Sequence, residues 1–197
     1  MAVKEDNEIT VKVKVSAEEL YRFLKEKGFH LIYSFSLDDI YFVPNKLDVE
    51  TMEIRNIVAK AVLTRYIVRN DTGKVTQKIT FKKKEINENG EILFQEATDC
   101  EVLEIEDAKK LLIVMGYREI LRIKEEDSVY EKDGFQLSVK NISGGDILIE
   151  AEIGENVGIS TIDELKRKMI EEEIPIFTDD FFVKKAEVEL RKVLGRK

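Results

Sequence analysis

Residues 8–15 read Glu-Ile-Thr-Val-Lys-Val-Lys-Val. Ile9, Val11, Val13 and Val15 fall on one side of a strict alternation, and Glu8, Thr10, Lys12 and Lys14 on the other. Period two over eight residues predicts a β-strand with one apolar and one charged face. The fold turns on what the charged face meets. Bulk water makes the strand ordinary, whereas an enclosed lumen turns an acid and a lysine on one strand into the start of a site.

The pattern outside this strand repeats its character. Ser16 with Glu19 forms a capping box, Leu20, Phe23 and Leu24 give a helical stripe, and Gly28 ends the helix. A strand over 30–44 follows and closes at Pro44. Residues 50–58 read as a further strand. Residues 62–70 and 75–84 form a hairpin around Asp71-Thr72-Gly73, and a turn at 87–90 leads into a strand over 91–105. A second helix over 107–117 ends at Gly116. Three strands (120–130, 135–142 and 146–153) and two helices (161–173 and 179–194) complete the chain. Strand, helix ending in Gly-aromatic (Gly28-Phe29, Gly116-Tyr117) and strand occur twice, so 1–197 reads as a single domain with two approximate halves, 8–102 and 103–197.

Several strands share the two-faced pattern. Glu53 and Arg55 lie on one side of theirs, Lys78, Thr80 and Lys82 on one side of theirs, Gln95, Ala97, Asp99 and Glu101 likewise, and Glu150 with Glu152. An antiparallel sheet with helices on its apolar face and water on the other explains this. So does an antiparallel barrel with helices outside and a charged lumen, provided the lumen charges are paired or hold an ion.

Composition narrows the chemistry. The 197 residues carry a net charge of −8, which removes a global basic footprint for nucleic acid. One cysteine, Cys100, and one histidine, His30, cannot build a disulfide, a Ser-His-Asp triad or a His-rich zinc site. No apolar run reaches signal-peptide or membrane-span length, so a cytoplasmic protein without membrane contact is expected. Catalysis, if present, has to use carboxylates, lysines and arginines with a hard metal ion.

The order of these motifs resembles the CYTH family, the triphosphate tunnel metalloenzymes, which include class IV adenylyl cyclases, thiamine triphosphatases and inorganic tripolyphosphatases. Glu8-Ile9-Thr10-Val11-Lys12 resembles the family's opening Glu-x-Glu-x-Lys, and Leu24 to Phe29 its Leu-x-x-x-Gly-Phe. Asp39-Ile40-Tyr41-Phe42 resembles its Asp-x-Tyr-Phe strand, Met52 to Arg55 its Leu-Arg-Ile-Arg strand, and Thr80-Phe81-Lys82 its Thr-aromatic-Lys strand. Gln95 to Val102, Leu111 to Tyr117, Lys124 to Tyr130 and Ile149 to Glu152 resemble later elements, so the likeness spans nearly the whole chain. It implies an α+β fold: an antiparallel β-barrel or tunnel with a charged lumen and helices packed outside. It implies phosphate binding by Lys12 (also the catalytic lysine), Arg55, Lys82 and Lys124, and Mg²⁺ or Mn²⁺ held by Glu8, Asp99, Glu101, Glu150 and Glu152. The implied activity is metal-dependent hydrolysis of an organic or inorganic triphosphate, or adenylyl cyclase-like chemistry, with a phosphorylated small molecule as ligand and a homodimer left open.

Departures from the family pattern point the other way. Thr10 stands for a Glu, Glu53 and Gln95 for arginines, Ala97 for a Glu, Lys140 for an Asp, and Glu125-Glu126-Asp127 for a basic run. Glu53 and Glu126, if they point inward, repel a phosphate instead of gripping it. A non-catalytic CYTH-fold ligand-binding or interaction protein with a degenerate tunnel is therefore the alternative.

Overall fold

The computed structural model describes residues 8–86 and 92–196; over 82–86 and 92–96 it describes the backbone. The opening strand is β1 (Glu8–Lys12), followed by α1 (Ala17–Glu26) and β2 (His30–Pro44). Both halves of the Ser16–Glu19 capping box form, and Leu20 and Leu24 are buried. Next come α2 (Ile54–Ala59), β3 (Val62–Arg69), β4 (Val75–Ile86) and β5 (Ile92–Glu101). The second half runs α3 (Ile105–Val114), β6 (Tyr117–Lys132), β7 (Phe135–Ile142), β8 (Ile147–Glu152), α4 (Ile162–Glu171) and α5 (Lys185–Val193). The turn expected at 87–90 lies outside the described residues.

Two expected elements differ. Residues 54–59 are helix, not strand: Ile54 and Ile57, three apart, are buried on one face, a helical period that the short run concealed. The last helix begins at Lys185, because the chain before it is extended and hydrogen-bonds β1.

All eight strands form one antiparallel sheet in the order β1-β8-β7-β6-β2-β3-β4-β5. Among the described residues β1 and β5 do not pair, so the ladder is open where a closed barrel was expected. The reason lies at β1. The Thr10 amide donates to the Phe181 carbonyl at 3.0 Å, and the Val183 amide donates back to the Thr10 carbonyl at 3.0 Å. Phe177 and Lys14 extend this contact by bonding the Lys12 and Pro175 carbonyls. The free side of β1 is thus occupied by the segment leading into α5.

The sheet is nonetheless strongly curved. Side chains from β1 and from β4, six strand steps apart, line one cavity; a flat sheet would separate them by roughly 29 Å. On the convex side Ile9, Val11, Leu137, Val139, Ile149 and Ala151 bury against Leu20 and Leu24 of α1 and Leu165 and Met169 of α4. Further along, Ile40 and Phe42 pack on Leu112 of α3. On the concave side α2 and α5 close one end through Ile54, Ile57 and Leu190 against Val43, Leu121, Ile123 and Leu148.

Candidate functional site

The remainder of the concave face is polar, and strand register decides which residues reach it. Glu8 pairs with Glu152 and Thr10 with Glu150, so three glutamates share a face of two adjacent strands. Lys140 on β7 lies across from Asp127 on β6, and Asp39 on β2 across from Arg65 on β3. Together with the start of α5 these strands enclose a cavity of about 240 Å³, lined by Glu8, Thr10, Arg65, Thr80, Lys140, Glu150, Lys184 and Lys185 among others.

Three cations hold three fully buried carboxylates around it. The Arg65 guanidinium donates from Nε and Nη2 to both oxygens of Asp39, at 2.8 and 2.7 Å. Asp39 has no solvent exposure. This bidentate pair fixes the guanidinium plane and leaves its Nη1 edge for a ligand. Lys140 Nζ sits 3.4 Å from Asp127 Oδ2 and 3.4 Å from Glu150 Oε1. Lys185 of α5 bonds Glu125 Oε1. Burial weakens the charge of Lys140, but Glu150, Asp127 and Glu125 outweigh it and hold its pKa above the ordinary lysine value. Arg65 behaves in the same way, with Asp39 as the main counter-ion. Burial pushes the Asp127 carboxyl up to about 7, with Lys140 opposing and Glu125 reinforcing the shift. Glu125 Oε2 and Asp127 Oδ1 are buried without a hydrogen-bond partner.

The residues implied by the resemblance divide. Glu8 and Glu150 line the cavity and Glu152 shares their face. Lys12 is on that face too, but its Nζ is 2.7 Å from Asp146 Oδ1, beyond the cavity lining. Asp99 accepts from Lys78 at 2.6 Å and from Thr80 at 2.6 Å, and Glu101 is exposed; neither lines the cavity. Lys82 pairs with Ala97 through the backbone, and its side chain lies outside the described set. Arg55 is on α2 and bonds Glu187 at 3.3 Å, so it is not the strand arginine that was expected. Lys124 lies on the convex face, opposite Asp38 and 3.9 Å from its carboxylate. Glu53 is exposed at the start of α2 and Glu126 is exposed on the convex face; neither points inward. The inward acids of that run are Glu125 and Asp127.

Arg65, Lys140, Lys185, Asp39, Glu125 and Asp127 were missed as site residues. A signal existed for most of them. Leu121 and Ile123 continue in alternation to Glu125 and Asp127, and Leu63 to Arg65, so parity with a buried apolar residue assigns them inward. Among the described residues, no three His, Cys, Asp or Glu side chains come together to hold a metal ion.

No protein-family model matches the chain. It is 24% identical over 190 residues to the protein named putative adenylate cyclase of Methanocaldococcus jannaschii, covering 93% of this chain and 98% of that one. The structure of PH1819 from Pyrococcus horikoshii superposes with a TM-score of 0.64 at 18% identity, covering 94% of this chain and 98% of that one. The chain has a CYTH-like fold. A further structure of this fold is that of the putative adenylyl cyclase HpAC1 from Hippeastrum, described as revealing a dominant triphosphatase activity, with a TM-score of 0.54 at 14% identity over 96% of this chain and 97% of that one. The CYTH-like fold accounts for the α+β layout, with the helices outside an antiparallel sheet. Among the described residues no helix is long and apolar enough to cross a membrane.

Proposed function

We propose that the cavity binds a triphosphate and that the protein hydrolyses it with a divalent cation, Mg²⁺ or Mn²⁺. The observation that carries this reading is the convergence of Arg65, Lys140 and Lys185, from β3, β7 and α5, on one cavity that Glu8 and Glu150 also line. Guanidinium and ammonium groups favour phosphoryl oxygens, and carboxylates favour hard divalent ions. Among the described residues no three carboxylates come together to hold an ion, so an ion at Glu8, Glu150 and Glu152 would take phosphate oxygens as its remaining ligands. Such an ion supplies charge neutralisation at the phosphoryl groups. A cavity of about 240 Å³ suits a polyphosphate chain better than a whole nucleotide, which needs more of the usual ligand-site range of about 300–1,000 Å³.

The protein's own contribution is positioning. Asp39 holds the Arg65 fork in a fixed plane, and Lys140 and Lys185 add two ammonium groups around the phosphate chain. Water adds to the terminal phosphorus, the bond to the bridging oxygen breaks, and diphosphate leaves with the electron pair. The cations bear the charge that develops on the leaving oxygen.

Binding without turnover is the second reading. One observation favours it: each of the three cations already holds a buried carboxylate, so an incoming phosphate competes with Asp39, Asp127, Glu150 and Glu125. The test is a melting curve with tripolyphosphate and with ATP, each with and without Mg²⁺ or Mn²⁺, alongside assays for phosphate, pyrophosphate and cyclic nucleotide. A ligand that binds the native state raises the melting temperature by mass action. Stabilisation with phosphate release, both abolished in Arg65→Leu, is the expected result. Stabilisation with no product of any kind supports the binding protein, and no stabilisation at millimolar ligand rejects both readings.

A further inference from the structure

The Asp127 carboxylate is an odd partner for a phosphate site. It is 1% exposed, one of its oxygens has no partner, and the other shares Lys140 with Glu150. The charged and titratable groups around it are Lys140 from β7, Glu150 of β8 beyond that lysine, Lys185 from α5, Glu125 on its own strand and Tyr21 from α1. Phe35, across from it on β2, is uncharged. Two cations therefore serve three carboxylates before any ligand arrives.

Resting on the triphosphate reading, we propose that the cavity takes up its phosphoanion together with one proton, and that Asp127 is the acceptor of that proton. A polyanion held by Lys140 and Lys185 draws their charge away from Asp127 and adds like charge beside it. Both effects disfavour the ionised carboxyl. Its apo value of about 7 places the transition where it can be read. Above that value the free protein holds an ionised Asp127 and the complex a protonated one, so binding consumes a proton. Below it both states are protonated and none is consumed. Protonated Asp127 keeps a hydroxyl to donate, whereas an ionised one would stand buried behind a Lys140 already engaged by the polyanion. The consequence for function is selectivity by pH: affinity falls as the medium becomes alkaline, through a group that never touches the reacting phosphorus.

The test is titration calorimetry of the full chain with tripolyphosphate in metal-free buffers of different ionisation enthalpy, at pH 6 and pH 8. Asp127→Asn serves as the reference, and the difference between the two proteins cancels the ligand's own titration. Uptake of ~1 proton more by the native protein than by Asp127→Asn at pH 8, and no difference at pH 6, is expected. The native protein should also lose affinity about tenfold per pH unit above pH 7 relative to the variant. Equal uptake in both proteins overturns the inference and leaves the triphosphate reading standing. Absence of binding to either protein, without metal and again with Mg²⁺ added, overturns both. If Asp127→Asn does not fold, the native protein alone decides: greater uptake at pH 8 than at pH 6, after subtraction of the free ligand's measured titration, supports the proton acceptor, and no excess removes it.

Discussion

The two faces of the sheet are built from the same strands and solve opposite problems. On the convex face an apolar cluster surrounds β1, from Ile9 and Val11 to Leu165 and Met169, and its packing excludes water. On the concave face Asp39, Glu125 and Asp127 are as deeply buried, yet they are charged groups held by Arg65, Lys185 and Lys140. Burial of apolar surface stabilises at roughly 25 cal/mol per Å². A buried ion pair at best offsets its own desolvation. The apolar convex face therefore supplies stability that the polar part of the concave face consumes, which is the arrangement expected of a site.

Substitutions should separate the two faces. Arg65→Leu strands Asp39 without a counter-ion; a loss of about 3–5 kcal/mol is expected in urea unfolding, together with loss of the triphosphate-induced melting shift. Leu24→Ala on the convex side should cost about 2–5 kcal/mol through an internal cavity while leaving ligand affinity of the folded fraction unchanged. Equal effects of both substitutions on affinity would dissolve the distinction between the faces.

Proton linkage gives the next largest effect. Asp127 titrates higher in the native state than its ordinary value of 3.8, so the native protein binds more protons between about pH 4 and 7. Stability therefore falls as pH rises through that window, by on the order of 3–4 kcal/mol from this group, and Asp127→Asn should flatten the profile in denaturant midpoints at pH 5 and pH 8. The smallest effect belongs to Lys124→Ala. Its 3.9 Å contact with Asp38 is exposed, so stability should move by less than about 0.5 kcal/mol and ligand affinity not at all.

Much of this was legible in the sequence where local chemistry decided it. The β1 alternation, the Ser16–Glu19 capping box and the hairpin around Gly73 all formed as read. The failures came where one residue of phase mattered. Residues 52–55 resemble a strand motif, yet Ile54 and Ile57 bury on one side of a helix, and the arginine that reaches the cavity comes ten residues later. In the acidic run at 125–127 composition said repulsion, but alternation from Ile123 sends the first and third acids inward and Glu126 out. Closure of the sheet was not legible at all, because the occupant of β1's free side is the extended segment at 181–183, whose sequence reads as part of a helix.

That segment has a kinetic consequence. β1 bonds β8 on one side and residues 181–183 on the other, so the first strand finds both neighbours only in the last third of the chain. Such distant pairings are slow, since the loop must close before the contact rewards it. Lys184 and Lys185 follow directly and bring the last wall of the cavity with them. During synthesis the intervening strands can pair with one another while Glu8 and Thr10 wait. The cavity is thus among the latest features to assemble, and ligand-binding competence should report on completion of the whole molecule and not of either half.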